Sequence, residues 1–95
     1  MVCLVPIRVL LVDDVAEVRR LVRTSLRFRG GFEVVGEAGD GAEAVHLAGL
    51  LRPDIVVLDL GLPDIAGQET LSRIRAAAPA AKVVVFSGLD TVDGA

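Results

Sequence analysis

Ninety-five residues with an apolar fraction of 53% suffice for one small domain with a real core and leave little room for a second. A net charge of −3, with the basic residues scattered, lacks the strongly basic footprint of a nucleic-acid binder and favours cations as partners. The single cysteine, Cys3, cannot form an internal disulfide and suits a reducing compartment as a small packed or surface thiol.

The first residues, Met1 to Pro6, have neither a charged leader nor an apolar stretch long enough for export. No run approaches the roughly 18 apolar residues of a membrane span. A cytoplasmic protein without a membrane partner is expected.

Ile7 to Val12 is almost continuously apolar and β-branched, the pattern of a strand buried on both faces. From Val15 to about Phe28 the residues Val15, Val18, Leu21, Val22 and Leu26 recur at spacings of three and four, which predicts an amphipathic helix. Asp13 or Asp14 is placed to cap its start. Five arginines lie in this helix: Arg19, Arg20, Arg23, Arg27 and Arg29. They read first as a solvated face and second as a docking surface.

Gly30 and Gly31 stop the helix, and Phe32 to Glu37 is short and polar enough for a strand at a sheet edge. Asp40 caps a second helix from Gly41 or Ala42 to Leu51, ended by Arg52 and Pro53. Asp54 to Asp59 is a third strand. The loop Leu60 to Asp64 leads into a helix from about Ala66 to Ala78, with Leu71 and Ile74 inward and Pro79 ending it. Val83 to Phe86 is a fourth strand closing on Ser87, and Asp90 to Asp93 has the look of a cap and first helical turn. The βαβαβαβ alternation predicts a parallel sheet with right-handed crossovers and helices on both faces.

A parallel sheet aligns the carboxyl ends of its strands, which lie about 4.8 Å apart. Asp13 and Asp14 end one apolar run and Asp59 ends another, so the three acids converge. At roughly 5 Å and an effective dielectric of about 20, each pair of charges repels by about 3 kcal/mol. A bound cation or a retained proton relieves that cost. With no thiolate or imidazole nearby, zinc is a poor match. His46 lies mid-helix and far in sequence from the acids, and reads as an exposed or partly packed imidazole.

Three stretches resemble the receiver domains of bacterial two-component response regulators: Arg8 to Asp14, Gly36 to Ala44, and Arg52 to Pro63. Gly67, Arg73 to Arg75 and Lys82 to Ser87 match as well, in wording most like the NarL/FixJ subfamily. The resemblance implies a flavodoxin-like α/β three-layer sandwich whose switch point lies beside the first strand. It implies that Asp59 is the phosphoacceptor, with Asp13, Asp14, Asp59 and the backbone carbonyl of Gly61 holding Mg2+. Ser87 and the backbone N–H of Gly88 would contact the phosphoryl oxygens. Pro63 and Gly67 would turn the chain sharply beside the metal.

The implied partners are a sensor histidine kinase and, through a C-terminal helix-turn-helix absent from these residues, DNA. A complete receiver adds a fourth helix, a fifth strand ending in a lysine and a fifth helix. The expected sheet order here is therefore 2-1-3-4, with residues 1–95 an incomplete receiver. The one lysine, Lys82, opens the fourth strand, and five residues at about 3.3 Å put it roughly 16 Å from Ser87. Val83 to Phe86 would then be an apolar edge open to homodimerisation or strand swapping.

The main alternative function is a truncated or pseudo-receiver that acts as an interaction module without phosphorylation-dependent switching. A phosphatase of the haloacid dehalogenase type needs a second Asp two residues after the nucleophile, where this chain has Gly61. A dinucleotide site at Gly39 to Ala44 is disfavoured because the run follows the second strand and a helix-start turn explains it. The expected protein is thus a module that assists its own phosphorylation rather than a turnover enzyme.

Overall fold

A computed structural model of the chain describes residues 5–86. Cys3, Ser87, Gly88 and the turn expected at Asp90 to Asp93 lie outside the described residues. The elements run β1 (Ile7–Val12), α1 (Ala16–Arg29), β2 (Phe32–Ala38), α2 (Gly41–Leu51), β3 (Ile55–Asp59), α3 (Gly67–Ala77) and β4 (Lys82–Phe86). All described pairings are parallel and the strand order is β2-β1-β3-β4, the flavodoxin-like arrangement.

The continuous apolar character of β1 follows from its central place, since a central strand is covered on both faces. Its residues Val9 to Val12 are all buried. Leu10 and Val12 join Val56 and Leu58 of β3 in a core that packs on Ala44 and Ala48 of α2 and Ile74 of α3. On the other face, Leu11 and Val57 adjoin Val18 and Val22 of α1. Helix α1 buries no residue fully, and Leu21 and Phe28 stand exposed. Its side chains are thus less fully buried than those of α2 and α3, and polar contacts add to its hold on the sheet.

Register sets the acid end. Val12 lies opposite Leu58, which brings Asp13 level with Asp59. A bulge shifts the β1–β2 register after Val9, so that Leu10 faces Gly36 and Leu11 faces Glu37. At the opposite end Arg8 donates its N–H to Asp54 and its guanidinium to the carbonyl of Arg52. Lys82 pairs with Ile55 there, remote from Asp59, as its place at the start of its strand predicts.

The helix ends match the sequence signals except at α1. Asp40 accepts the N–H of Glu43 at 2.8 Å, and the Glu43 carboxylate accepts the N–H of Gly39 at 3.1 Å, a near-reciprocal capping pair. Gly30 and Gly31 take positive φ values of 81° and 87°, conformations a glycine adopts without steric cost. At α1 the cap position is Val15 and no side chain caps it. Neither Asp13 nor Asp14 serves, because Asp13 ends the strand two residues before the cap and its carboxylate instead accepts the Val15 N–H.

Gly67 opens α3 against the loop that follows β3. A Cβ at this position would lie 2.8 Å from Leu60 Cβ and 2.9 Å from the Leu60 carbonyl oxygen. Backbone cannot move aside cheaply, so Gly67→Ala is expected to destabilise by about 1–3 kcal/mol, the range for overpacking. Urea unfolding followed by far-UV circular dichroism measures this, the chain having neither Trp nor Tyr.

Candidate functional site

Three carboxylates meet where β1 and β3 end. Asp13 is buried, Asp59 is half-buried and Asp14 is exposed, and each offers an oxygen within 4.8 Å of the others. The expected convergence of these residues is therefore observed. His46 is exposed on α2, as expected of a residue unconnected with the acids.

Asp13 and Asp59 are each oriented by a backbone donor nearby in sequence. Asp13 Oδ1 accepts the Val15 N–H at 2.8 Å, and Asp59 Oδ1 accepts the Gly61 N–H at 3.0 Å. Burial pushes the Asp13 carboxyl above its ordinary value of 3.8. The negative charges of Asp59 and Asp14 push the same way, while the Val15 hydrogen bond and the Arg19 cation oppose them. Asp13 is thus the acid of the cluster that gains most from a neighbouring cation.

The loop after Asp59 is fastened to α2. Asp64 accepts the N–H groups of Gly41 at 2.7 Å and Ala42 at 3.0 Å, satisfying two orphan donors of that helix. Those hydrogen bonds hold the Asp64 carboxyl below its ordinary range, so its stabilising contribution is present at neutral pH and lost as pH falls through the lowered value. Gly41 must be small here, since a Cβ would come within 3.0 Å of Ile65 Cδ1 and Thr70 Oγ1. Leu62, within the same loop, is buried in the core.

Sequence reasoning did not assign Glu37, Arg19, Arg23 or Asp64. Arg19 Nε donates to Glu37 Oε1 at 3.0 Å, Arg23 Nη1 donates to Glu37 Oε2, and Arg19 Nη1 donates to the Asp13 carbonyl at 2.6 Å. The solvated-face reading thus holds for the exposed Arg20, Arg27 and Arg29 but not for Arg19 and Arg23, which are half-buried. Their i, i+4 spacing lets both reach one acid, but Arg23 and Arg27 share that spacing, so only the position of Glu37 on β2 singles the pair out.

The donor set fits a hard divalent ion. It consists of carboxylate oxygens on two neighbouring strand ends, one of them buried with its charge only partly compensated. Mg2+ takes one or two such carboxylates and keeps several waters.

A family profile described as the response regulator receiver domain matches residues 9–95. The chain is 45% identical over 80 residues to a protein-glutamate methylesterase/protein-glutamine glutaminase of Myxococcus xanthus, covering 84% of this chain and 22% of that protein. It is 40% identical over 85 residues to the nitrate/nitrite response regulator NarP of Escherichia coli, covering 90% of this chain and 40% of NarP. The response regulator domain of Thermotoga maritima CheB superposes with a TM-score of 0.82 at 36% identity, covering 90% of this chain and 63% of that one. The chain therefore spans less than half the length of these two curated relatives.

A buried acid with a raised pKa destabilises the metal-free fold. Between the ordinary and the raised value the folded chain holds more protons than the unfolded one, so stability falls as pH rises across that interval. Asp13→Asn is expected to raise the melting temperature in EDTA at pH 7 by about 4–8 °C for each kcal/mol relieved. The gain should shrink as the pH is lowered through the Asp13 pKa, and Mg2+ should stabilise the wild type much more than the variant. Thermal melts by circular dichroism with and without Mg2+ check all three outcomes.

Proposed function

Because the chain belongs to the response regulator receiver domain family, we propose that it is the phosphoacceptor module of a two-component system, with Asp59 taking a phosphoryl group from a sensor histidine kinase. The observation that carries this reading is the meeting of Asp13, Asp14 and Asp59 within 4.8 Å at the carboxyl end of the sheet. The likeness to the response regulator NarP supports the NarL/FixJ resemblance, and the likeness to the transcriptional regulatory protein PdtaR of Mycobacterium tuberculosis supports a parent protein that regulates transcription.

In this reading the Gly61 N–H fixes Asp59 Oδ1, which leaves Oδ2 to attack phosphorus. The P–N bond to the donor imidazole breaks as the P–O bond to Asp59 forms, and the electron pair returns to the imidazole nitrogen. Asp13, Asp14 and Asp59, with the Gly61 carbonyl, would hold Mg2+. An ion held there would supply the positive charge that offsets the negative charge of the reacting groups. Ser87 and the Gly88 N–H, outside the described residues, would contact those oxygens. The module assists its own modification and turns over no separate substrate. Residues 1–95 are read as receiver sequence throughout, and the protein as cytoplasmic.

A second reading has one observation in its favour. The chain's only lysine, Lys82, pairs with Ile55 at the far end of the sheet and does not reach Asp59. Under this reading the module binds partners without a phosphorylation switch, and Lys82 itself contributes no cation to the acid cluster. Val84 and Val85 of β4 are 52% and 41% exposed, which supports homodimerisation through that edge under either reading.

Incubation with Mg2+ and acetyl phosphate is expected to add a single phosphoryl group, seen by intact mass. Asp59→Ala should abolish the addition, and labelling that survives this substitution overturns the assignment. A wild type that binds Mg2+ but is never labelled points to the second reading.

A further inference from the structure

Asp13 is held at its backbone on both sides. Its N–H donates to the Ala38 carbonyl of β2 at 3.1 Å, and its own carbonyl accepts from Arg19 Nη1 at 2.6 Å. Arg19 reaches that carbonyl from α1 while its Nε is engaged by Glu37 of β2 at 3.0 Å. Glu37 is itself held from the other side by Arg23, one helical turn further along. The Arg19 side chain is only 20% exposed, and its guanidinium also lies 3.5 Å from where a Cβ on Gly39 would sit. One planar group thus ties the end of β1, the end of β2 and the first turns of α1 together, a two-point grip that suits a guanidinium.

Charge and geometry act in opposite directions here. A guanidinium beside a cation site repels the cation, so by Coulomb attraction alone the site would bind metal better without it. Its retention beside Asp13 is explained by orientation: without the Arg19 bond, the turn carrying Asp13 and Asp14 is tied to β2 by the Asp13 N–H alone. The incomplete burial of α1 makes this contact more consequential.

We propose that Arg19, braced by Glu37, is a positioning residue for the acidic cluster, fixing the β1–α1 turn through the Asp13 carbonyl so that Asp13 and Asp14 face Asp59. This rests on the reading of the cluster as a Mg2+ site. It assigns the metal affinity of that site partly to residues that do not touch the metal. Outer groups that orient metal ligands typically change affinity by about 10–100-fold when removed.

The test compares the full chain with Arg19→Gln, Arg19→Lys, Glu37→Ala and, as a control, Arg23→Gln, which leaves both Arg19 bonds in place. Mg2+ affinity is measured by isothermal titration calorimetry, and amide hydrogen exchange is measured without metal. Arg19→Gln and Glu37→Ala are expected to weaken Mg2+ binding about 10-fold and to speed exchange at Asp13 and Val15, whose N–H groups are hydrogen-bonded, but not at Gly61. Arg19→Lys keeps the charge but not the two-point grip and should behave like Arg19→Gln, with Arg23→Gln close to wild type. Unchanged or tighter Mg2+ binding with unchanged exchange at Asp13 and Val15 overturns the proposal, as does full rescue by Lys. If Arg19→Gln does not fold, Arg19→Lys and Glu37→Ala decide. If the wild type binds no Mg2+, the functional reading fails instead, and the metal-free exchange data still decide whether Arg19 positions the turn.

Discussion

Parallel pairing of β1 with β3 in the register Val12 opposite Leu58 places Asp13 and Asp59 side by side, with Asp14 next to them. That crowding of like charge is the constraint to which the rest of the acid end responds. Backbone N–H groups of Val15 and Gly61 orient one oxygen of each half-buried or buried acid. They leave the cluster short of positive charge, and burial raises the Asp13 carboxyl further. A hard cation at these carboxylates would relieve that crowding.

The loops around the cluster are fixed by contacts that are individually modest. Asp64 ties the loop after β3 to the start of α2, and the close approach of Gly67 to Leu60 seats α3 under the same loop. On the other side, Arg19 and Glu37 hold the turn after β1. Partly exposed ion pairs of this kind contribute little to stability, roughly 0–1 kcal/mol each. Their value lies in geometry, since a metal or phosphoryl site depends on where its oxygens point.

Much of this was legible in the chain. The unbroken β-branched runs marked central strands, and Asp40 marked the start of α2, where its carboxylate accepts the Glu43 N–H. Asp13, Asp14 and Asp59 stood out as acids ending apolar runs, and the sheet brought them together. The misreading of α1's cap came from the same residues: a carboxylate just before a helix is ordinarily a cap, but Asp13 is buried between strand ends and turns its oxygen to Val15 one step too early. Arg19 and Arg23 could not be told from Arg20 and Arg27 by periodicity. All four lie on one polar helix surface, and only Glu37, supplied by β2 across the fold, distinguishes the pair it binds.

The sequence by itself determined the order of elements, the centrality of β1 and β3, and the identity of the three acids, because strand burial and helix capping are written in local patterns of apolar and polar residues. Tertiary structure alone decided which oxygens the backbone engages, which arginines leave solvent, and that Asp64 and Glu37, silent in any local window, brace the loops on either side of the site. Those outcomes depend on register and on which strand lies beside which, and they join residues 18 and 23 positions apart that no local pattern links.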